Sequence, residues 1–248
     1  MRLSVQAALL STVLGLMLPL PLVAAEPAAA ASYASRLEMA LNLGEEAALL
    51  NLLGTDVQSR VQSRFARFSK EFPQARWRVE TLEPLADGRS RIRVSVTGSS
   101  RADGQDYRLE ASQVLSVRIE AGVLQEEELL DEQSVLRSGS ARLPVTLQVP
   151  AAVLTGSRYD IDVIVEQPLG PFVLAGGLVE VSPEQRQADL RPNLQLEPMG
   201  GGGLFKRVQA PQRPGVQNWA AMLVHPDGVI TATKRVHVVN SKAEMARY

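Results

Sequence analysis

The chain contains two histidines, His225 and His237, which are its first candidates for metal binding or general-base catalysis. They flank the turn sequence Pro226-Asp227-Gly228, which predicts a terminal β-hairpin that could bring both rings close to Asp227. A zinc site needs three or four ligands, however, and His237 lies between two valines, as is typical of a histidine on the exposed face of a strand. No Gly-x-Ser-x-Gly elbow occurs that would point to a serine nucleophile. The sequence therefore favours neither a metal site nor catalytic residues.

A run of four glycines, Gly200–Gly203, invites comparison with a phosphate-binding loop. Such a loop spreads its glycines over a turn and places Lys and then Ser or Thr at the start of a helix. Here Arg207 follows Lys206, and no strand-loop-helix pattern surrounds the run. We interpret it as a flexible loop within a β-domain, in which Leu204 and Phe205 form a mobile, partly apolar contact for a partner.

The composition excludes several further classes of function. The chain of 248 residues has no cysteine, which excludes thiol catalysis, thiolate metal sites and disulfides. Its formal net charge of −1 offers no electrostatic attraction for nucleic acid or an anionic membrane. The acidic residues between Glu126 and Glu132 lack the spacing of a calcium loop and are typical of a solvated strand face. We expect no cofactor.

Residues 1–25 have the pattern of a secretory signal peptide. Arg2 precedes an uncharged, largely apolar run over residues 3–18, and two prolines interrupt it before the small residues Val23-Ala24-Ala25. We expect cleavage before Glu26 and a mature protein in the periplasm or outside the cell; a retained N-terminal anchor is the alternative. Cleavage would remove Arg2 and no acidic residue, so that the net charge would change from −1 to −2.

The next segment predicts helices. Residues 26–32 are expected to form a flexible, alanine-rich lead-in. Ser35 and Glu38 make a capping box for a first helix, and Gly54 is expected to cap the end of a second. A third helix, ending before Pro73, has an apolar stripe with spacings of four, four, three and four. Its members are Val57, Val61, Phe65, Phe68 and Phe72.

Alternating apolar and polar residues then predict an antiparallel meander that begins at Trp77. Its strands are separated by turn signals such as Asp87-Gly88 and Asp103-Gly104. The apolar face of this sheet needs a cover, which the preceding helices supply. Residues 33–139 are therefore predicted to be an α+β domain, with helices packed on a curved antiparallel sheet.

From residue 140 onward helical periodicity does not return. Short alternating strands are separated by proline and glycine turns, and Gly176-Gly177 suggests a bulge or bend in one of them. Residues 140–240 resemble an immunoglobulin-like β-sandwich, although the cysteine pair of antibody domains is absent. Residues 241–248 are expected to be a frayed tail.

The order of helices and strands in residues 33–137 resembles the nuclear transport factor 2-like superfamily. The features behind this resemblance are the helix over residues 57–72, the strand that opens at Trp77 and the alternating residues of the next two strands, which are Ile92, Val94, Val96, Tyr107, Leu109 and Ala111. The resemblance implies a cone-like fold with an apolar pocket.

Catalytic members of that superfamily place a carboxylate or histidine base opposite a tyrosine in the pocket. This chain has no histidine in the first domain, so the resemblance leaves Tyr107, Glu110, Asp131 and Glu132 as substitutes. Tyr107 shares the strand parity of the apolar residues and is expected to point inward, whereas Glu110 has the opposite parity. The sequence places no acid beside Tyr107, and catalysis is therefore disfavoured.

We accordingly expect an exported, non-enzymatic binding or assembly protein that takes a protein partner or a small apolar ligand. The alternative is a small-molecule-binding protein or cryptic enzyme that uses a pocket around Tyr107, with Phe65, Phe68 and Trp77 as further pocket candidates. An open cavity with a carboxylate near the Tyr107 hydroxyl favours the alternative, whereas a pocket filled by the other three aromatic rings favours the first interpretation. A structural spacer without a ligand is a second alternative.

Overall fold

The computed structural model describes most of the chain after the predicted signal peptide. The described residues are 25–140, 143–166, 174–182, 184–185, 194–199 and 202–248. Apart from Ala25, the predicted signal peptide lies outside these residues, as do Gly200, Gly201 and the predicted turn over residues 167–171.

Helices come first in the chain and strands follow. The helices are α1 (Ala25–Leu43), α2 (Glu46–Leu50), α3 (Thr55–Glu71) and, at the C-terminus, α4 (Lys242–Met245). The strands are β1 (Arg76–Leu82), β2 (Ser90–Ala102), β3 (Gln105–Glu120), β4 (Val123–Gly139), β5 (Val145–Gln148), β6 (Ala152–Leu154), β7 (Arg158–Val165), β8 (Leu174–Val181), β9 (Glu197–Met199), β10 (Gly203–Gln209), β11 (Gly215–His225) and β12 (Gly228–Val239). The predicted α+β class is confirmed. Within the described part of the chain, no helix combines the length and apolarity that crossing a bilayer requires.

Helix α1 begins earlier than the sequence predicted. Residues 26–32 lie within it and do not form a flexible lead-in. Alanine has the highest helix propensity, and Ala30 and Tyr33 are buried against the core, which stabilises this turn of the helix. Ser35 and Glu38 therefore cap nothing: the Ser35 hydroxyl donates to the Ala31 carbonyl, and Glu38 accepts the backbone N–H of Val79 at 2.7 Å.

Gly54 precedes α3 as its N-cap and does not end α2 in a left-handed conformation, since its φ is −66°. Its N–H donates to the Leu124 carbonyl at 2.7 Å, and a Cβ at this position would lie 3.0 Å from that same oxygen. Glycine is therefore required here because the two backbones approach each other closely. Helix α3 has the predicted stripe, with Val57 and Phe65 buried, and it ends before Pro73.

Two sheets are present among the described residues. The large sheet has the order β1-β2-β3-β4-β12-β11-β8-β9, and β6 pairs in parallel with β12. The small sheet has the order β10-β7-β5. The large sheet is therefore continuous across residue 140, where the sequence predicted the boundary between two domains.

The two faces of the large sheet are covered at different ends. Helices cover one face of β1–β4, where Tyr33, Leu49, Val57 and Ile92 are among the most deeply buried residues. The small sheet packs against β8, β11 and β12, and two further apolar clusters fill the space between the two sheets.

One of these clusters contains a buried polar chain of three side chains. The Trp219 indole N–H donates to the Tyr159 hydroxyl, which donates to Gln217, both at 2.9 Å. Burial raises the pKa of Tyr159 to about 12, so the phenol remains a proton donor under ordinary conditions.

The pairing of β4 with β12 joins the two halves of the chain, and we call this pair of strands the seam. It runs from Gly139↔Gly228 to Gln133↔Lys234. Three polar side-chain pairs cross it or extend from its end: Asp131–Lys234 at 2.5 Å, Glu132–Arg235 at 3.2 Å and Ser134–Thr233 at 2.7 Å. Because side chains alternate along a strand, Ser134 and Thr233 face the helices, whereas Val135 and Ala232 face the small sheet.

Two further predictions differ from the structure. Strand β8 pairs with β11 without a register shift, so Gly176-Gly177 does not form a bulge. A Cβ at these positions would overlap Met199 and the Gln195 backbone, so close packing requires the glycines.

The C-terminal tail is not frayed, because it forms α4. Arg247 pairs with Glu128 at 2.6 Å, and the Tyr248 ring stacks on the ring of His237 in β12.

The substitution Asp131→Ala is expected to lower the free energy of unfolding by about 3 kcal/mol, measured by urea denaturation, because it leaves the buried Lys234 ammonium without its partner. Asp160→Ala removes one partner of the exposed Arg207–Asp160 pair and is the matched control, with an expected loss much smaller than that of Asp131→Ala because solvent screens this pair. Equal losses in the two variants would contradict a special role for the seam.

Candidate functional site

A cavity of about 490 Å³ lies between the helices and the large sheet. Side chains from α1, α2, α3, β1, β2, β3, β4 and β12 line it. This volume falls within the range of roughly 300–1,000 Å³ typical of small-molecule sites.

Most of the wall is apolar because two regular patterns converge on it. Strand β2 presents Ile92, Val94 and Val96, whose alternation places all three on the helix-facing side. Helix α3 presents Val61, Phe65 and Phe68 from its apolar stripe.

One part of the wall is polar and is built by the seam. Gln113 on β3 donates its amide N–H to Glu132 at 2.7 Å, and Arg235 donates to the other oxygen of the same carboxylate at 3.2 Å. Ser134 and Thr233 share one hydrogen bond. Two hydroxyls contain two hydrogens, so this pair retains one donor and several lone pairs for a ligand.

The rim of the cavity carries charges of both signs. Arg64, Arg67 and Glu71 project from the exposed side of α3, and Glu127 on β4 is paired with Arg60 at 3.5 Å. Both signs occur, so the rim has no dominant charge.

Three of the four predicted pocket residues come together at this cavity. Phe65, Phe68 and Trp77 all line it, and the rings of Phe68 and Trp77 lie 5.0 Å apart. They form part of the wall and leave the cavity open.

Tyr107, the fourth predicted pocket residue, does not line the cavity. It lies opposite Ser100 and Ser138, four residues before the cavity residue Ala111 on the same strand, which corresponds to about 14 Å. Phe72 packs on Gly98, whose partner on β3 is Leu109, and Tyr107 lies beyond that position. Strand parity predicted the correct face, but it could not predict where the helices end.

The three acids that were considered as substitutes for the catalytic base lie in three different environments. Glu110 is exposed and pairs with Arg137 at 2.9 Å, and Asp131 pairs with Lys234. Glu132 lines the cavity, but both of its oxygens accept hydrogen bonds from protein side chains. Among the described residues, none of these three acids is hydrogen-bonded to Tyr107.

Sequence reasoning missed the polar wall. Ser134 and Thr233 are 99 positions apart, and no local pattern connects them. Gln113 did carry a signal, because it is the polar member of the otherwise largely apolar series Tyr107, Leu109, Ala111, Leu115, Val117 and Ile119.

The predicted contact residues Leu204 and Phe205 lie in strand β10 and not in a loop. Leu204 packs against the core between the sheets, and Phe205 is 64% exposed on the other face. The predicted loop is wrong because the glycine run suggested flexibility for the residues that follow it, whereas these pair with Val163 and Asp162 of β7. A partner contact at these residues stays a prediction.

The two histidines lie at opposite ends of the β11–β12 hairpin. His225 pairs with Gly228 beside the turn, where its Nδ1 accepts the Asp227 backbone N–H at 3.1 Å. His237 pairs with Val216 at the far end, and it is buried, not exposed. Its ring stacks on Tyr248 at 4.0 Å, and its Nε2 has no hydrogen-bond partner among the described residues. Those residues contain no cluster of three or more metal-binding side chains.

His237 is expected to make stability depend on pH. Burial, together with the nearby Arg235 charge, lowers the pKa of His237 from 6.5 to about 4. At a pH between these two values, the histidine is protonated in the unfolded chain but neutral in the folded protein. The free energy of unfolding should therefore fall by about 2 kcal/mol between pH 8 and pH 5 on account of this residue. His237→Phe retains a ring to stack on Tyr248, and urea denaturation of this variant should lack that part of the pH dependence. Equal pH dependence in the two proteins would refute this origin.

A family model described as a domain of unknown function, DUF8623, matches residues 140–239. The matched segment is less than half of the chain, and it begins directly after β4, so it includes only one strand of the seam. No curated protein matches the chain.

Proposed function

We propose that this protein is an exported, non-enzymatic binding protein whose cavity takes an uncharged, mainly apolar small molecule. The observation that carries the proposal is the open cavity itself. Aromatic side chains from α3 and β1 form its walls without filling it. A well-formed apolar cavity with a few convergent polar groups is the arrangement that small-molecule sites usually have.

The polar wall favours a neutral ligand over a charged one. The Glu132 carboxylate already has two partners from the protein, so a ligand cation would have to compete with Arg235. A ligand anion would lie close to this carboxylate, and burying a charge without a partner is costly. The Ser134–Thr233 pair can instead donate to and accept from a hydroxyl or carbonyl group.

Binding is favoured over catalysis because the described residues that line the cavity include no activated group. A general base must reach the proton that it removes. Glu132 is held by two side chains and Glu127 by Arg60, while Tyr107 lies outside the cavity.

The same proposal includes the fold of each half of the chain and the export of the protein. Helices and sheet enclose the cavity, and the β3–β4 pairing contains two register shifts, which are features that bend a strand. Both observations support a cone-like domain of the nuclear transport factor 2-like kind. Two sheets that enclose apolar clusters support an immunoglobulin-like sandwich in the second half. The signal-peptide pattern of residues 1–25 is the basis for proposing export.

Binding can be tested with N-phenyl-1-naphthylamine, an uncharged fluorophore that brightens in apolar sites. The protein should enhance its emission with saturable binding. Ala111→Phe places a ring in the cavity and should weaken binding at least about tenfold, since it removes space that the probe needs.

Thr97→Phe is the matched control, because Thr97 is exposed on the opposite face of the sheet from Val96. It should bind the probe as the unaltered protein does. Undiminished binding by a folded Ala111→Phe protein would exclude this cavity as the site, and absence of binding by the unaltered protein would argue against an apolar ligand.

A further inference from the structure

Among the described residues, nothing pairs with the outer edge of strand β10. Val165 donates its N–H to the Gly202 carbonyl, and Ala210 donates its N–H to Ser157. Because bonded residues alternate along an antiparallel strand, the even-numbered residues of β10 direct their backbone groups toward β7. The odd-numbered ones direct theirs outward, and no described strand other than β7 pairs with β10. These are Gly203, Phe205, Arg207 and Gln209.

The outer edges of the large sheet are protected. On β1, Asn42 of α1 bonds both the N–H and the carbonyl of Trp77, and Glu38 accepts the N–H of Val79. On the opposite edge, β9 is three residues long and contains Pro198, which cannot donate. Native proteins usually block exposed edges in such ways.

Strand β10 has no comparable protection among the described residues. It spans seven residues without proline and presents Phe205, which is 64% exposed, near its centre. A hollow of about 360 Å³ lies beside it, between β10 and β8, and Leu178, Leu204 and Phe205 contribute apolar surface to its wall. An added strand would satisfy the outward backbone groups and cover part of this apolar surface.

We infer that β10 pairs with β10 of a second copy of this chain, antiparallel and with the two-fold axis at Phe205. In this register each Phe205 ring lies opposite its own copy, a favourable cross-strand pair. Lys206 then lies opposite Leu204 of the second copy, and Arg207 lies opposite Gly203. No two like charges meet, whereas an axis at Lys206 or Arg207 would place identical cations opposite each other.

The charges on β10 are compatible with this pairing. Arg207 already bonds Asp160 of β7 at 2.7 Å, and Lys206 lies 5.5 Å from the centre of the Trp219 ring. Both cations therefore have partners within their own chain and need none from the second copy. The small sheet would become a six-stranded sheet shared by two chains.

Sedimentation of the full chain over a range of concentrations tests the inference. The unaltered protein should show a monomer–dimer equilibrium, and Phe205→Lys should remain a monomer where the unaltered protein is a dimer. Met39→Lys is the matched control, because Met39 is also 64% exposed but lies on α1, and it should still form the dimer. A monomer at every concentration, or a dimer that persists in Phe205→Lys, would overturn the inference.

The absence of native cysteine allows the register to be tested by cross-linking. Phe205→Cys should form a covalent dimer on oxidation, since facing residues in a bonded antiparallel pair lie about 5.5 Å apart. Gln209→Cys would lie eight residues from its copy along the strands, about 27 Å, and should not cross-link. Cross-linking of Gln209→Cys in preference to Phe205→Cys would overturn the proposed register.

Discussion

The pairing of β4 with β12 is the interaction on which both halves of this protein depend. It joins residues about a hundred positions apart and makes one sheet out of two segments that have different local character. Adjacent residues of the seam serve opposite faces: Ser134 and Thr233 contribute to the cavity wall, and Val135 and Ala232 contribute to the core between the sheets. A change of register by one residue would exchange these roles, so the register of the β4–β12 pairing must be strongly fixed.

Polar side chains at the end of the seam fix its register. Lys234 and Arg235 are adjacent and project to opposite faces, and each finds a carboxylate, in Asp131 and Glu132 respectively. Apolar residues could slide past one another at low cost, but a displaced Lys234 would be a buried charge without a partner. The cavity and the core between the two sheets are therefore held in a fixed relation by the same two consecutive ion pairs.

Local periodicity was sufficient to predict α3, the meander and the α+β class. The apolar spacing of α3 and the alternation along β2 and β3 are properties of short segments. The pocket candidates Phe65, Phe68 and Trp77 came from the superfamily resemblance, and all three line the cavity. The polar wall could not be predicted, because Gln113, Glu132 and Thr233 come from three strands whose pairing is a long-range property. Capping rules failed at Glu38 and Gly54 for a related reason, since both make tertiary contacts and not local ones.

The contacts of α1 with the edge of β1 have a consequence for aggregation. Asn42 and Glu38 satisfy the edge only while the helix remains docked. Local release of α1 would expose a seven-residue strand next to apolar core, while the rest of the fold could remain intact. The rate at which such a protein aggregates would then follow the free energy of this local opening and not that of global unfolding. Substitutions in the buried face of α1 would thus favour aggregation from a chain that is still largely folded.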